Sequence, residues 1–128
     1  MAKLHGDALN PLLGSRPTLL LDALESTKTL DGVEEVLNWM LDQGCTKSST
    51  VIAIGGGSGM DAGKAISLIS QNSVDLWAFD YDQPDSPELG PDAFAPLICV
   101  PTTAGTGAET ESTAMLTDTS HGVKRCVW

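Results

Sequence analysis

Ile54-Gly55-Gly56-Gly57-Ser58-Gly59-Met60-Asp61 joins a strand-like run to a helix-like run through a glycine turn. Upstream, Val51 to Ile54 is apolar without alternation, the pattern of a strand covered on both faces in a parallel sheet. Downstream, Ala62, Ala65, Ile66 and Ile69 recur with helical spacing on one face. Successive glycines remove Cβ atoms, so another group can approach the backbone closely. A helix start supplies N–H groups without intrahelical partners and the positive end of the macrodipole. Ser58 adds a hydroxyl and is expected to be able to cap the helix. Together these features form a site for a phosphate or pyrophosphate at the carboxyl end of a strand, where α/β sheets bind ligands. The plain alternative is a tight strand-to-helix turn with no ligand.

Two general phosphate motifs do not fit. In the pattern GxGxxG, Gly55 and Gly57 match but Met60 stands at the third glycine. Anchoring GxxxxGK[ST] on Gly63-Lys64 requires a glycine at Ser58 and a hydroxyl at Ala65, so it fails twice.

Leu97 to Val100 reads as a second buried strand, followed by Pro101-Thr102-Thr103-Ala104-Gly105-Thr106-Gly107. A loop of hydroxyls and exposed amides suits ribose, phosphate or carboxamide contacts. The bland reading is a threonine loop that satisfies its own backbone. Two small polar loops after neighbouring strands favour a shared ligand.

Further out, Asp31 and Glu34 have capping-box spacing, and Val33, Val36, Leu37, Met40 and Leu41 make one apolar helix face that Gly44 ends. Leu19 to Leu21 is a short apolar run expected to be a buried strand. Residues 1–16, broken by Pro11 and Gly14, are expected to be irregular, and 17–128 to form one partial dinucleotide-binding domain. Residues 75–92 are acidic and proline-containing, a solvated loop with a short ordered piece around Trp77 and Phe79. The tail from Thr113 is expected to add strands around a turn at His121 and Gly122. Alternating strands and helices predict an α/β fold, a doubly wound, mostly parallel, Rossmann-like sheet that is incomplete.

Composition bounds the partners. The 128 residues are 41% hydrophobic, enough for one core. No apolar run reaches the roughly 20 residues of a membrane helix, and no signal core is seen, so the expected location is the cytoplasm. A net charge of −10 argues against nucleic acid. Cys45, Cys99 and Cys126 are widely spaced and read as free buried thiols.

Gly55-Gly56-Gly57-Ser58-x-x-Asp61-x-x-Lys64 resembles the GGGSxxDxxK signature of iron-dependent (group III) alcohol dehydrogenases. Pro101 to Glu109 resembles that family's PTTAGTGSE, with Ala108 in place of serine, and Thr113 to Asp118 and Lys124-Arg125 also look familiar. The resemblance covers roughly residues 20–128. It implies NAD or NADP as cofactor, with Gly56, Gly57 and Ser58 holding the phosphates. It also implies Asp61 near the nicotinamide, Thr102, Thr103 and Thr106 lining the same cleft, and Lys64 bracing the threonine loop. Glu25-x-x-Lys28-Thr29-Leu30, Gly44-Cys45 and Val51 to Gly57 are similar to dehydroquinate synthases, which implies Glu25 and Lys28 at the adenosine end.

In the dehydrogenase family an iron or zinc ion polarises the alcohol oxygen. Its aspartate and three histidine ligands belong to a helical C-terminal domain. Only His5 and His121 occur here, and both read as surface residues. The expected function is therefore the dinucleotide-binding part of an enzyme that moves hydride between an alcohol and an aldehyde or ketone. The alternatives are a non-catalytic nucleotide-binding remnant or a dehydroquinate-synthase-like NAD protein. An apolar face bared by a missing neighbour leaves self-association open.

Overall fold

The computed structural model describes residues 2–22 and 28–127. Helix α1 spans Ala2–Leu13, α2 Leu30–Asp42, strand β1 Val51–Gly55, α3 Gly57–Ile69, β2 Leu97–Pro101, β3 Ala114–Asp118 and β4 Val123–Val127. Short 3-10 turns occupy Leu76–Phe79 and Pro91–Ala93.

Strands β1 and β2 pair in parallel, with Val51 opposite Leu97 and Gly55 opposite Pro101. Parallel neighbours need a crossover, and α3 begins it. Hairpin β3–β4 forms a separate antiparallel pair, turned at Gly122 with φ 67°. The fold is thus mixed α/β, with a two-stranded parallel sheet and a separate antiparallel hairpin.

Helix α3 is the hub, touching β1, β2, β3 and α2. Against the sheet it comes unusually close. A Cβ on Gly63 would lie 2.6 Å from the Ala53 Cβ and 3.3 Å from Leu97 Cδ1. Away from the sheet, Ala65, Ile66 and Leu68 join Val33, Val36, Leu76, Phe79, Ala114, Leu116 and Val127 in one buried cluster. The piece of order expected near Trp77 and Phe79 is real, because Leu76 and Phe79 anchor the acidic segment into this core.

Several expectations are corrected. The N-terminal stretch is helical, not irregular. Pro11 lies inside α1 and Gly14, at φ 57°, ends it, its amide donating to the Asn10 carbonyl at 2.9 Å. The two residues read as loop punctuation are a tolerated helix position and a C-terminal stop. Leu19 to Leu21 is exposed and belongs to no strand. The cap of α2 is Thr29, whose hydroxyl accepts from the Gly32 amide at 3.1 Å, rather than Asp31. Leu41 falls off the buried stripe and is exposed. The parallel strands are covered on one face only, since Ile52, Ile98 and Val100 face solvent. An apolar run without alternation signals two-sided burial only when both covering layers are present. The three cysteines are free and half-buried rather than buried.

Candidate functional site

The site is built where two adjacent strands end together. Gly55 pairs with Pro101, and the Thr102 amide donates to the Gly55 carbonyl at 2.8 Å. Both polar loops therefore leave the same edge of the sheet, as their positions in the sequence required.

Gly56 caps α3 with backbone only, at φ −83° and ψ −166°. Ser58 was expected to be able to cap; it lies instead one residue inside the helix, and no side chain caps this end. The first helical bond runs from the Met60 amide to the Gly56 carbonyl at 3.1 Å, so the amides of the preceding turn lack i−4 partners within the helix. The glycines have separate jobs. A Cβ on Gly56 would meet Thr103 Oγ1 at 3.2 Å and Cγ2 at 3.3 Å, so Gly56 lets the threonine loop close onto the turn. A Cβ on Gly57 would meet nothing within 4 Å. The protein's own packing does not demand glycine there, and the space beside it is open.

In the second loop, Gly105 and Gly107 take φ 92° and 65°, conformations that side chains disfavour. The Thr106 hydroxyl accepts from the Ala108 amide at 3.4 Å, a local turn bond. Thr102 is half-buried at the strand end, whereas Thr103 and Thr106 are exposed.

The charged residues converge in a way their separation in sequence does not suggest. Lys28 Nζ donates to Asp61 Oδ2 at 3.1 Å, with side chains 7% and 13% exposed. Lys64 Nζ lies 4.0 Å from Asp61 Oδ1 and donates to the Thr113 carbonyl at 2.7 Å. Lys28 and Asp61, expected at opposite ends of a ligand, touch each other. Lys64 braces the chain, but at the start of β3 rather than within the threonine loop. Glu25 lies outside the described residues.

Two features escaped sequence reading. Gly63 lies one turn beyond the Met60 position that broke the dinucleotide fingerprint, and it supplies the close helix–strand contact. A glycine inside a helix at a non-motif position was the available signal. The other is the network of Arg125, which the sequence marked only as half of a basic pair: its Nη1 donates to Asp80 at 2.7 Å and its Nε donates to Asp118 at 2.8 Å. Its guanidinium also lies 5.6 Å from the centre of the Trp77 ring. Asp118 is held far below the usual carboxylate range, chiefly by the Ser120 hydroxyl and then by His121 and Arg125, against burial that raises it. The same two aspartates hold Arg125 above its ordinary value. Ser120, His121 and Asp118 are not a nucleophilic triad. One nitrogen, His121 Nδ1, faces both Ser120 at 3.0 Å and Asp118 at 2.7 Å, and Ser120 itself donates to Asp118 at 2.6 Å. They staple the hairpin turn. Burial, then Asp80, push the Cys126 thiol up, which makes it a weak nucleophile.

A cleft of about 460 Å³ lies between α3, β2 and β3 and is lined by Lys64, Leu68, Leu97, Cys99 and Glu109 among others. It is distinct from the open turn at Gly57. Among the described residues no group of three or more His, Cys, Asp or Glu could hold a metal ion, so those residues by themselves do not fit a metal centre. No described helix is long and apolar enough to cross a membrane.

Known proteins resemble this chain in sequence and fold. The chain is 40% identical over 74 residues to an NAD-dependent methanol dehydrogenase of Bacillus methanolicus, covering 58% of this chain and 18% of that one. The solved structure of a 1,3-propanediol oxidoreductase superposes with a TM-score of 0.68 at 26% identity, covering 84% of this chain and 26% of that one. The sulfoacetaldehyde reductase of Bifidobacterium kashiwanohense, solved in complex with NAD+, shares the fold with a TM-score of 0.72 at 23% identity, over 98% of this chain and 33% of that one. The chain thus spans between 18% and 33% of the length of these relatives. Residues 4–128 match the family model for iron-containing alcohol dehydrogenases, and with the glycine turn and threonine loop meeting at one sheet edge, the chain belongs to that family.

Proposed function

We propose that this chain is the dinucleotide-binding part of an oxidoreductase that moves hydride between an alcohol and an aldehyde or ketone. The observation that carries this reading is the open space at Gly57, on the first turn of a 13-residue helix and beside a loop that Gly56 lets close. A pyrophosphate there would receive backbone N–H groups and the positive helix end. Gly56 and Gly57 admit it, Ser58 adds a hydroxyl, and Thr102, Thr103 and Thr106 wall the cleft for the ribose and nicotinamide side. NAD or NADP, when bound, supplies the hydride acceptor or donor; this chain's residues bind and orient it. In the whole family member, iron would be held by residues other than these. By itself the chain is expected to bind dinucleotide without turnover, even with added iron or zinc.

Replacing Gly57 with Val tests the assignment. NADH affinity, followed by nicotinamide fluorescence, should fall at least tenfold with an unchanged circular dichroism spectrum. Affinity equal to the parent chain would refute it. Alcohol oxidation by the purified chain with iron would refute the division of labour.

A further inference from the structure

The charged group beside the glycine turn joins three parts of the chain. Lys28 lies 33 residues before Asp61, yet its ammonium meets the carboxylate at 3.1 Å. The Lys28 carbonyl accepts from the Thr117 amide at 2.8 Å, and Thr29 bridges to Thr117 in parallel. The backbone of Lys28 is thereby tied to β3 while its side chain reaches α3. Lys64, one turn after Asp61, reaches the same carboxylate from the other oxygen and ties to Thr113, just before β3. Asp61 is therefore gripped from both sides by lysines anchored to the hairpin edge. Asp61 begins the second turn of α3, directly after the first turn that holds Gly57.

We propose that Lys28 is a positioning residue for the dinucleotide site, acting through Asp61 rather than touching the adenosine. This rests on the dinucleotide reading of the turn. One physical reason favours a positioning role. The Lys28 ammonium is buried and already directed at the Asp61 carboxylate, which fixes the carboxylate's rotamer by a charge-assisted bond. Loss of Lys28 would leave the carboxylate held only by Lys64 at 4.0 Å and able to rotate toward the approaching pyrophosphate.

The test titrates the full chain with NADH and with ADP at 10 °C, using K28M, K28R, D61N and the K28M/D61N double variant. Melting curves establish that each is folded at that temperature. K28M should weaken NADH and ADP binding about tenfold, and K28R should restore most of it. If Lys28 acts through Asp61, the double variant should bind no worse than D61N alone. Unchanged affinity in K28M, or losses that simply multiply in the double variant, would overturn the proposal. Lowered melting without a change of affinity would overturn it too, by reducing Lys28 to a structural role. Should the parent chain bind neither NADH nor ADP, the reading of the turn fails first, and the role of Lys28 falls with it.

Discussion

Gly63 and Gly57 lie on the same helix, and the same substitution should act on them with opposite sign. In Gly63→Ala the new methyl would lie 2.6 Å from the Ala53 Cβ. Carbon atoms in contact sit about 3.5–4.0 Å apart, so helix and strand must separate by roughly 1 Å. The opposing atom is bonded to strand backbone and has no torsion that could swing it aside. Overpacking of this kind costs about 1–3 kcal/mol, and the rigid partner puts Gly63→Ala near the top of that range. Alanine's helix preference over glycine returns about 1 kcal/mol, leaving a net loss of about 2 kcal/mol. For a chain of this size that is a fall in Tm of roughly 6–10 °C. Gly57→Ala meets nothing within 4 Å, so only the helix preference operates and stability should rise by a few tenths to about 1 kcal/mol. Urea unfolding followed by circular dichroism measures both. Pairing Gly63→Ala with Ala53→Gly removes the clashing atom and should recover much of the loss. A Gly63→Ala variant as stable as the parent, or a double variant no better than the single, would refute the close-packing argument.

Thr29→Ala should lose about 1 kcal/mol because the amide of Gly32 loses its acceptor, whereas Asp31→Ala should stay near the parent value in the same urea titration. Arg125→Met should lower Tm more than removal of any exposed lysine, because it leaves buried Asp80 and Asp118 without their shared cation; a melt equal to the parent's would contradict that network. Asp118 titrates lower when folded than unfolded, so its contribution is present above the ordinary aspartate value near pH 4 and is lost as pH falls through and below it. Stability against pH should therefore drop below about pH 4, and D118N, though weaker at neutral pH, should show a shallower acid slope. With a net charge of −10, added salt should speed NADH association from low ionic strength to about 0.15 M, where the Debye length is about 8 Å. Stopped-flow rates that fall with salt would show that the local positive site outweighs the global field.

Much of the site was legible because it is local in the chain. Glycine turns and helix starts depend on neighbours within a few residues, so Val51 to Asp61 announces its strand, turn and helix by itself. Pro101 to Gly107 was legible for the same reason, and Gly44 and Gly122 mark a helix end and a hairpin turn through φ values of 72° and 67° that favour glycine. Leu19 to Leu21 misled because an apolar triplet reports hydrophobicity and not whether a partner strand exists. Pro11 and Gly14 misled because the same residues punctuate loops and end helices.

By itself the sequence determined the order of strand, glycine turn and helix, the family, and the common sheet edge of the two polar loops, since each follows from short-range geometry or motif spacing. Only the tertiary structure decided that Lys28 and Asp61 meet, that Gly63 rather than the fingerprint's third position makes the close contact, and that Arg125 links Asp80 to Asp118. Those contacts join residues separated by up to 45 positions. Neither propensity nor periodicity carries information over such distances, because the contacts exist only once α3 has packed against the sheet and the hairpin.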